Sequence, residues 1–312
     1  MNKITIIGTG SVGSTIAYTL TVKGLASEIV LIDINAKKAM GEALDIQQGT
    51  PFAHACEIHA GTYEDAADSD IVIVTSGVAR KPGQSRLDLA QTNVNIFKSI
   101  IPEITKNAPN AIYIIVSNPV DILTYTLCKC SNIPENHIIG SGTMLDTARL
   151  RASLSEIFSI NQKNVHAYVL GEHGDSSFVP WSLANISNIH VDDCCDLFPD
   201  HSVETLNHEE LEEFVRKSGG KVIEAKGATF YAVAISVCHI CELLLSGMDT
   251  TMAVSTMMHG EYGIDDVCLS TLNLVGRDGV KSKVLLPLTE EEEEKLRHSA
   301  NCLKEIINQI EI

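Results

Sequence analysis

The turn between the first strand and the first helix constrains the fold of this chain more than any other segment. The apolar run Ile4–Ile7 predicts a short buried strand, and the glycine-rich segment Gly8–Gly13 follows it. A helical stretch then leads to a second apolar run, Ile29–Ile32, and to Asp33, twenty positions beyond Gly13. Strand, glycine turn, helix, strand and acidic residue in this spacing predict a dinucleotide-binding βαβ unit.

Each part of this pattern has a predicted role. Gly8 permits the tight turn, Gly10 lets the backbone approach a pyrophosphate, and Gly13 lets the helix pack on the strand. Asp33 accepts hydrogen bonds from the adenosine ribose and repels a 2′-phosphate, so NAD is favoured over NADP as the cofactor. The alternative is an ordinary glycine turn followed by a surface aspartate. The predicted cofactor-binding residues here are Gly8, Gly10, Ser11, Val12, Gly13 and Asp33.

Composition and charge exclude several classes of function. The 312 residues are 45% hydrophobic with a formal charge of −17, and an acidic chain lacks the basic face that nucleic acid or an acidic membrane requires. No apolar run approaches the roughly twenty residues of a membrane-spanning helix. The first predicted strand begins within three residues of Met1, so we expect no signal peptide.

The cysteines predict a reducing compartment. Nine cysteines occur without a complete metal-ligand pattern, which is typical of buried thiols in the cytoplasm. The alternative is that Cys238 and Cys241 form a redox dithiol or half of a zinc site. We therefore expect a cytoplasmic protein that binds no metal.

Apolar runs alternate with amphipathic stretches through the first half of the chain, and this indicates a parallel sheet covered by helices. We predict an α/β fold: a doubly wound (Rossmann) parallel-sheet domain over residues 1–142, then a mixed α+β catalytic domain over residues 143–312. The predicted strands of the first domain are Ile4–Ile7, Ile29–Ile32, Cys56–Ala60, Ile71–Thr75, Ile112–Ser117 and Ile138–Ser141.

The second half has a different pattern. We predict a helix over Leu145–Phe158, a long helical region over His208–Ser246 that is interrupted at Gly219 and Gly220, and a C-terminal helix capped by Thr289. The predicted strands are Val165–Leu170, Phe178–Trp181, Met252–Met258, Cys268–Val275 and Lys283–Leu286.

Four further motifs follow the glycine turn in order: Ala79–Arg86, Ser117–Asp121, Leu145–Arg149 and Gly171–Asp175. With these motifs, the chain resembles the lactate/malate dehydrogenase superfamily from Ile4 to the C-terminal helix. The resemblance implies hydride transfer between NADH and a small 2-oxo acid. It also implies a homo-oligomer, either a dimer or a tetramer.

Residue chemistry agrees with this reaction. Reduction of a 2-oxo acid needs an acid that protonates the developing alkoxide, and histidine fills this role near neutral pH. His173 is the candidate, with Asp146 accepting its other ring N–H and stabilising the imidazolium. Arg149 lies on nearly the same helix face as Asp146, and its planar guanidinium suits a bidentate contact with the substrate carboxylate.

Two more residues complete the predicted site. Arg86, on a mobile loop, polarises the ketone oxygen, and closure of the loop expels water. Asn118 orients the substrate and the nicotinamide, and the resemblance implies a cis Asn118–Pro119 bond. The rival functions are a non-catalytic NAD-binding scaffold, which these intact residues argue against, and an NAD-dependent glycosidase, which needs a metal.

The residues disagree about the substrate. Thr229, in the helix that lines the far end of the substrate, matches the threonine typical of lactate enzymes. Arg80 occupies a loop position where lactate enzymes generally carry glutamine and malate enzymes carry arginine. An uncompensated buried charge costs about 3–5 kcal/mol, more than the roughly 1–3 kcal/mol of an overpacked threonine. Gln84, where lactate enzymes commonly carry glutamate, also favours a dianion. We expect malate and oxaloacetate, with lactate and pyruvate as the alternative if Arg80 turns into solvent, and a bulkier 2-oxo acid as the third candidate.

The resemblance also implies a regulatory anion site. Arg151 and His166 match positions where allosteric bacterial lactate dehydrogenases bind fructose 1,6-bisphosphate across a subunit interface. Two basic groups from each of two subunits hold an anionic phosphate. The alternative is an interface arginine and a locally bonded histidine.

Overall fold

A computed structural model describes residues 2–79, 85–198 and 205–312. The strands are β1 (Lys3–Ile7), β2 (Glu28–Ile32), β3 (Glu57–Ala60), β4 (Ile71–Val74), β5 (Ile112–Ile115), β6 (Ile138–Gly140), β7 (Val165–His166), β8 (Asn185–Ile186), β9 (Ile189–His190), β10 (Thr250–His259), β11 (Asp265–Gly276) and β12 (Gly279–Lys283). The helices are α1 (Ser11–Lys23), α2 (Ala36–Gly49), α3 (Arg86–Asn107), α4 (Val120–Cys130), α5 (Met144–Ile157), α6 (Cys194–Leu197), α7 (His208–Lys226), α8 (Tyr231–Leu245) and α9 (Glu290–Ile307).

The described strands form one large sheet in the order β12-β11-β10-β6-β5-β4-β1-β2-β3 and a small sheet in the order β7-β8-β9. The pairs from β3 to β6 are all parallel. This is the doubly wound nucleotide-binding order, in which ligands bind at the carboxyl ends of the strands. The predicted α/β fold is therefore confirmed.

The central strands are apolar because helices cover both faces of the sheet. Ile4 and Ile6 of β1 face one core together with α1 and α8, while Ile7 faces the other core with α3 and α4. All three side chains are at most 2% exposed. Strands buried on both sides carry continuous runs of isoleucine and valine in place of an alternating pattern.

The large sheet continues into the second half of the chain. Ser255 of β10 pairs antiparallel with Gly140 of β6, and β11 and β12 extend the sheet from there. The first half ends with β6 and the second begins with α5 at Met144. The division into residues 1–142 and 143–312 stays a prediction, and the two parts share one sheet.

Several predictions for the second half were wrong. α7 runs through Gly219 and Gly220 and ends at Lys226, where Gly227 has a φ of +87°. Glycine costs only about 1 kcal/mol inside a helix, whereas a left-handed residue ends it. The predicted strand Val165–Leu170 forms a ladder only over β7, and Leu170 makes an isolated bridge with Phe178.

Candidate active site

The glycine turn after β1 has no room for side chains at two positions. Gly8 has a φ of +97°, and a Cβ there would lie 2.9 Å from the backbone nitrogen of Ser76. A Cβ on Gly13 would lie 1.9 Å from the carbonyl oxygen of Gly8, so the close packing of α1 requires glycine. A Cβ on Gly10 would meet no described atom within 4 Å, which leaves space over the backbone for a pyrophosphate.

The amino end of α1 supplies donors beside this space. α1 begins at Ser11, directly after Gly10. The first N–H groups of a helix, here those of Ser11, Val12 and Gly13, have no acceptor within the helix and lie at the positive end of its dipole. The open backbone and these donors together fit the diphosphate of a dinucleotide.

Asp33 follows β2 at the same edge of the sheet. Its Oδ2 accepts from the backbone N–H and the hydroxyl of Thr9, at 2.6 and 3.0 Å, and its Oδ1 accepts from the Asn35 backbone N–H at 2.8 Å. Burial alone raises the pKa of Asp33, but these hydrogen bonds outweigh burial and lower the pKa. A carboxylate has about four acceptor positions, so this ionised group retains capacity for a ribose hydroxyl.

His173 lies in a tight turn that backbone pairing fixes on both sides. Leu170 bridges to Phe178, and Gly171 bridges to Ser270 of β11. Gly171 also has a φ of +92°, which favours glycine at that position. The turn is therefore held to the large sheet, and its histidine reaches the cavity beyond the carboxyl ends of the parallel strands.

Asp146 joins His173 to Arg149. His173 Nδ1 lies 2.6 Å from Asp146 Oδ2, while Arg149 Nη1 donates to Asp146 Oδ1 at 2.9 Å. The Asp146 side chain is 7% exposed, so this is a buried network. Asp146 and Arg149 are three residues apart on α5, as the sequence predicted.

This network sets the charge states of the site. The carboxylate of Asp146 raises the pKa of His173 to about 9, against the opposing effect of burial. Burial also raises the pKa of Asp146, but the attraction and hydrogen bonds of His173 and Arg149 outweigh it, so the pKa is lowered. At neutral pH the ring is protonated and the carboxylate is ionised, which is the state a proton donor needs.

Asn118 and His173 line two adjoining cavities. One, of about 230 Å³, is also lined by Arg86 and Glu172. The other, of about 40 Å³, extends towards Ser236 of α8. The Asn118–Pro119 peptide bond is cis, as the resemblance implied. The structure thus brings Asn118, His173 and Arg86 to one cavity.

Arg86 is the first residue of α3, so its predicted place on a loop was wrong. Ser85 caps the helix: its hydroxyl accepts from the Asp88 backbone N–H at 3.0 Å. The Arg86 guanidinium forms an ion pair with Asp175, and its side chain is 59% exposed. That pair raises the pKa of Arg86. The helix start fixes the backbone of this residue while its side chain stays in solvent.

The predicted residues Thr229 and Arg151 lie away from these contacts. Thr229 lies between α7 and α8, so its predicted place in a helix was wrong, and it is not among the residues lining either cavity. Arg80 and Gln84 lie outside the described residues. Arg151 donates from Nε to the Ala167 carbonyl at 3.0 Å.

The two residues of the predicted anion site lie on different elements, Arg151 on α5 and His166 on β7. The Arg151 guanidinium lies 5.1 Å from the centre of the Tyr168 ring. His166 is exposed on β7, next to the Ala167 carbonyl that Arg151 contacts. The Arg151 side chain therefore contacts the backbone of the residue that follows His166.

Sequence reasoning assigned no role to several residues at the site. Asp121 accepts from the His173 backbone N–H at 2.8 Å, and its place in the motif after Asn118 was the only sequence signal for it. Nothing in the sequence indicated that α8 lines the cavity, because its residues lie more than a hundred positions from Asn118 along the chain. These lining residues are Val233, Ser236 and Val237.

The described residues contain neither a metal-ligand cluster nor a membrane-spanning helix. Across residues 2–79, 85–198 and 205–312, no cluster of histidine, cysteine and acidic side chains is suited to a metal ion. None of the helices in these ranges has the length and apolar content needed to cross a bilayer.

Comparison with known families gives two matches that together span the chain. A model described as the lactate/malate dehydrogenase NAD-binding domain matches residues 2–140. A model described as the lactate/malate dehydrogenase alpha/beta C-terminal domain matches residues 143–312.

Curated relatives match over the full length. An L-lactate dehydrogenase of Acetivibrio thermocellus is 47% identical over 312 residues, covering 100% of this chain and 98% of the relative. One of Thermoanaerobacterium saccharolyticum is 46% identical and covers 100% of both chains. One of Clostridium perfringens is 48% identical and covers 97% of this chain and 95% of the relative.

Solved structures agree in fold. A lactate dehydrogenase from a Medee basin deep-sea metagenome library superimposes with a TM-score of 0.94 at 37% identity, covering 98% of each chain. A minor L-lactate dehydrogenase from Enterococcus mundtii, in a ligand-bound form, has a TM-score of 0.94 at 35% identity, covering 100% of this chain and 99% of that one.

These relatives overturn one prediction. We expected a preference for malate and oxaloacetate, but the relatives at 46–48% identity are named L-lactate dehydrogenase, so that expectation was wrong. The expectation depended on the charge of Arg80 being buried against the substrate. A guanidinium that stays in water carries no such penalty, so the energetic argument fails without burial.

Proposed function

The chain belongs to the lactate/malate dehydrogenase family of NAD-dependent oxidoreductases that act on CH–OH donors, and we propose that it is an L-lactate dehydrogenase. The reaction is the reversible conversion of pyruvate, NADH and a proton into L-lactate and NAD⁺. The observation that carries the proposal is the buried His173–Asp146–Arg149 network beside Asn118.

His173 is the proton donor in this proposal. NADH, when bound, supplies the hydride that reduces the carbonyl carbon. His173 holds its proton at Nε2, because Nδ1 is engaged by Asp146, and gives that proton to the oxygen on which negative charge develops. In the reverse direction the neutral ring removes the hydroxyl proton of lactate.

Arg149 binds the carboxylate of the substrate. A guanidinium has five N–H donors, so one bond to Asp146 leaves donors for two parallel bonds to a carboxylate. Its burial beside Asp146 fixes the plane of the guanidinium, with 15% of the side chain exposed. This orientation selects a 2-oxo acid over a simple ketone.

Arg86 stabilises the charge that develops on the ketone oxygen. To do so it exchanges its exposed partner Asp175 for the substrate. An exposed ion pair is worth only about 0–1 kcal/mol, so this exchange costs little. Asn118, which lines both cavities, orients the substrate against the nicotinamide.

The substrate is tested by comparing kcat/KM for pyruvate and oxaloacetate with NADH. We expect pyruvate to be favoured by more than about tenfold, a difference of about 1.4 kcal/mol in transition-state binding. A higher kcat/KM for oxaloacetate would overturn the proposed substrate but not the oxidoreductase family. NADPH serves as the cofactor control, because Asp33 repels a 2′-phosphate.

We also propose an anion site at Arg151 and His166 that takes fructose 1,6-bisphosphate. The hydrogen bond from Arg151 to the Ala167 carbonyl supports it, because it places the arginine against the residue that follows the exposed His166. Activity at subsaturating pyruvate is measured with and without fructose bisphosphate, with inorganic phosphate as a control. We expect activation, and a response that Arg151→Gln removes. No response in the unmodified enzyme removes this part of the proposal.

A homo-oligomer, dimer or tetramer, completes the proposal. Tyr18 and Val22 of α1, and Tyr231 and Ile235 of α8, are each at least 50% exposed on two packed helices. An exposed apolar surface of this kind favours contact with a second copy. Light scattering measures the mass in solution.

The cytoplasm is the proposed location, and the nine free thiols are consistent with it.

A further inference from the structure

Two cysteines from distant parts of the chain share one small apolar cluster. Cys128 is on α4 and Cys268 is on β11, 140 positions further along the chain. Cys268 is fully buried together with Tyr125 and Met257, and the half-buried Cys128 packs against these side chains. Both cysteines are free thiols, and neither has a part in the proposed reaction.

The pairing of the strands determines which way Cys268 points. Cys268 lies opposite Met257 of β10 in the antiparallel ladder, so the two side chains are on the same face of the sheet. Ser255 lies two positions before Met257, hence on that same face, and its hydroxyl donates to Asp121 of α4 at 2.6 Å. The helix α4 therefore covers the face of the sheet that carries Cys268.

The residues of α4 that meet this face recur at helical spacing. Asp121, Tyr125 and Cys128 are separated by four and three positions, so they lie along one side of the helix. The Cys128 side chain forms a hydrogen bond with the Cys268 thiol. Contact between the two thiols thus follows from the register of the strands and the period of the helix.

The surroundings give the two thiols different reactivity. Burial raises the pKa of Cys268 well above its ordinary value, and the contact with Cys128 and the charge of Asp121 act in the same direction. The positive charge of Lys283 opposes these effects. Cys268 therefore stays protonated and shielded from solvent at neutral pH, whereas the half-buried Cys128 is open to a small oxidant.

Other cysteines lack this combination of contact and access. Cys238 and Cys241 lie on successive turns of α8, but both are fully buried, so neither is open to an oxidant in solution. Cys130 is exposed, but it follows Cys128 by two positions and so lies on a different side of α4. A thiol open to solvent and a buried partner in contact with it are features of the Cys128 and Cys268 pair.

We propose that Cys128 and Cys268 form a peroxide-sensitive dithiol, in which Cys128 is oxidised first and Cys268 then closes a disulfide. Cys128 gives up its proton and its sulfur attacks one oxygen of hydrogen peroxide; the O–O bond breaks, leaving a sulfenic acid and one water. The Cys268 sulfur then attacks the Cys128 sulfur, an S–S bond forms, and the S–OH oxygen leaves as water with the Cys268 proton. Two thiols and one peroxide thus give a disulfide and two waters, and a thiol reductant restores both thiols.

The test is to treat the folded, full-length protein with hydrogen peroxide, denature it, alkylate the remaining thiols and map the cysteines by mass spectrometry. We expect two of the nine cysteines to escape alkylation, and a peptide that links Cys128 to Cys268. Dithiothreitol should make both available again. A disulfide mapped to another pair, or a further oxidised Cys128 beside a free Cys268, would overturn the proposal.

Two variants separate the steps of the reaction. In Cys268→Ala, peroxide should leave Cys128 as a sulfenic acid that dimedone traps. In Cys128→Ser, Cys268 should remain a thiol, and its oxidation there would contradict the proposed order. Cys130→Ser is the matched control, because it removes an exposed thiol from the same helix. The disulfide should form in it as fast as in the unmodified protein, and its loss would contradict the assignment.

Thermal unfolding tests whether the disulfide fits the folded chain. A cross-link between residues 140 positions apart restricts the unfolded chain, so Tm of the oxidised protein should rise by about 4 °C or more. The rise should disappear with dithiothreitol and be absent in Cys268→Ala. An unchanged or lowered Tm would mean that the disulfide distorts the fold, against the proposal. None of these measurements uses pyruvate, so their outcome is independent of the proposed function.

Discussion

Two cations at the proposed active site are each paired with an aspartate, in opposite surroundings. In the His173–Asp146 pair the side chains are 27% and 7% exposed, whereas in the Arg86–Asp175 pair they are 59% and 73% exposed. Because the first pair is buried, Asp146 determines the proton affinity of His173. Because the second pair is exposed, Asp175 contributes little to the energy of Arg86. The comparison shows that an ion pair fixes chemistry only where water is excluded.

The largest effect is expected from His173→Gln, which removes the proton donor from the buried pair. General acid catalysis contributes about 10²–10⁴ in rate, and we expect kcat/KM for pyruvate to fall near the upper end of that range. NADH binding, followed by fluorescence, should be unchanged. His259→Gln is the control and should retain full activity, because the His259 side chain is 62% exposed and contacts Glu135. A loss below tenfold in His173→Gln would show that another group donates the proton.

Arg86→Gln tests the exposed cation itself. Losing a charge that stabilises the transition-state oxygen costs about 10²–10³ in kcat. Arg86→Lys keeps the charge but not the planar fork, so its loss should be smaller. Stopped-flow measurement of NADH oxidation gives both values. Equal activity of the glutamine variant and the unmodified enzyme would mean that Arg86 stays with Asp175 throughout turnover.

Asp146→Asn removes the carboxylate from the buried pair with His173. Without this carboxylate the pKa of His173 should fall from about 9 towards or below its ordinary 6.5, so reduction is lost at a lower pH. At pH 8 we expect kcat/KM for pyruvate to fall by about 30- to 100-fold, since the protonated fraction of His173 falls about tenfold for each pH unit above its pKa. The pH profile measures the shift, with Asp45→Asn on the exposed face of α2 as control. A limb that stays near pH 9 would contradict the role of Asp146.

Asp175→Asn should have the smallest effect. Because an exposed pair is worth about 0–1 kcal/mol, its removal should change KM for pyruvate by at most about fivefold. The direction expected is a lower KM, since Arg86 no longer has to leave a partner. Steady-state kinetics at low and high salt measures it, and the difference should shrink as salt screens the pair. A change above tenfold would place Asp175 in the site itself.

The sequence predicted the nucleotide-binding half well because its signals are local. The strand, glycine turn and helix from Ile4 to Lys23 each follow from neighbouring residues, and Gly13 shows why: its own backbone contact with Gly8 requires the absence of a side chain. The pairing of Asp146 with His173 was also predictable, since the chemistry of each residue type requires a partner.

Predictions that depended on tertiary contacts were less successful. The two glycines of α7 predict a break, but the helix continues through both, because the cost of glycine inside a helix is only about 1 kcal/mol. The substrate prediction failed for a related reason, because the identity of Arg80 says nothing about whether its charge is buried. Asp121 had a visible motif, but its bonds to Ser255 and His173 exist only in three dimensions.

The antiparallel join of β6 to β10 has a consequence for how this molecule moves and assembles. The backbone pairing of Gly140 with Ser255 opposes separation of the two halves at that point of the sheet. Severing the chain between the halves would leave the Gly140 end of β6 without its partner strand. Such an edge invites aggregation, so neither half is a promising fragment to isolate.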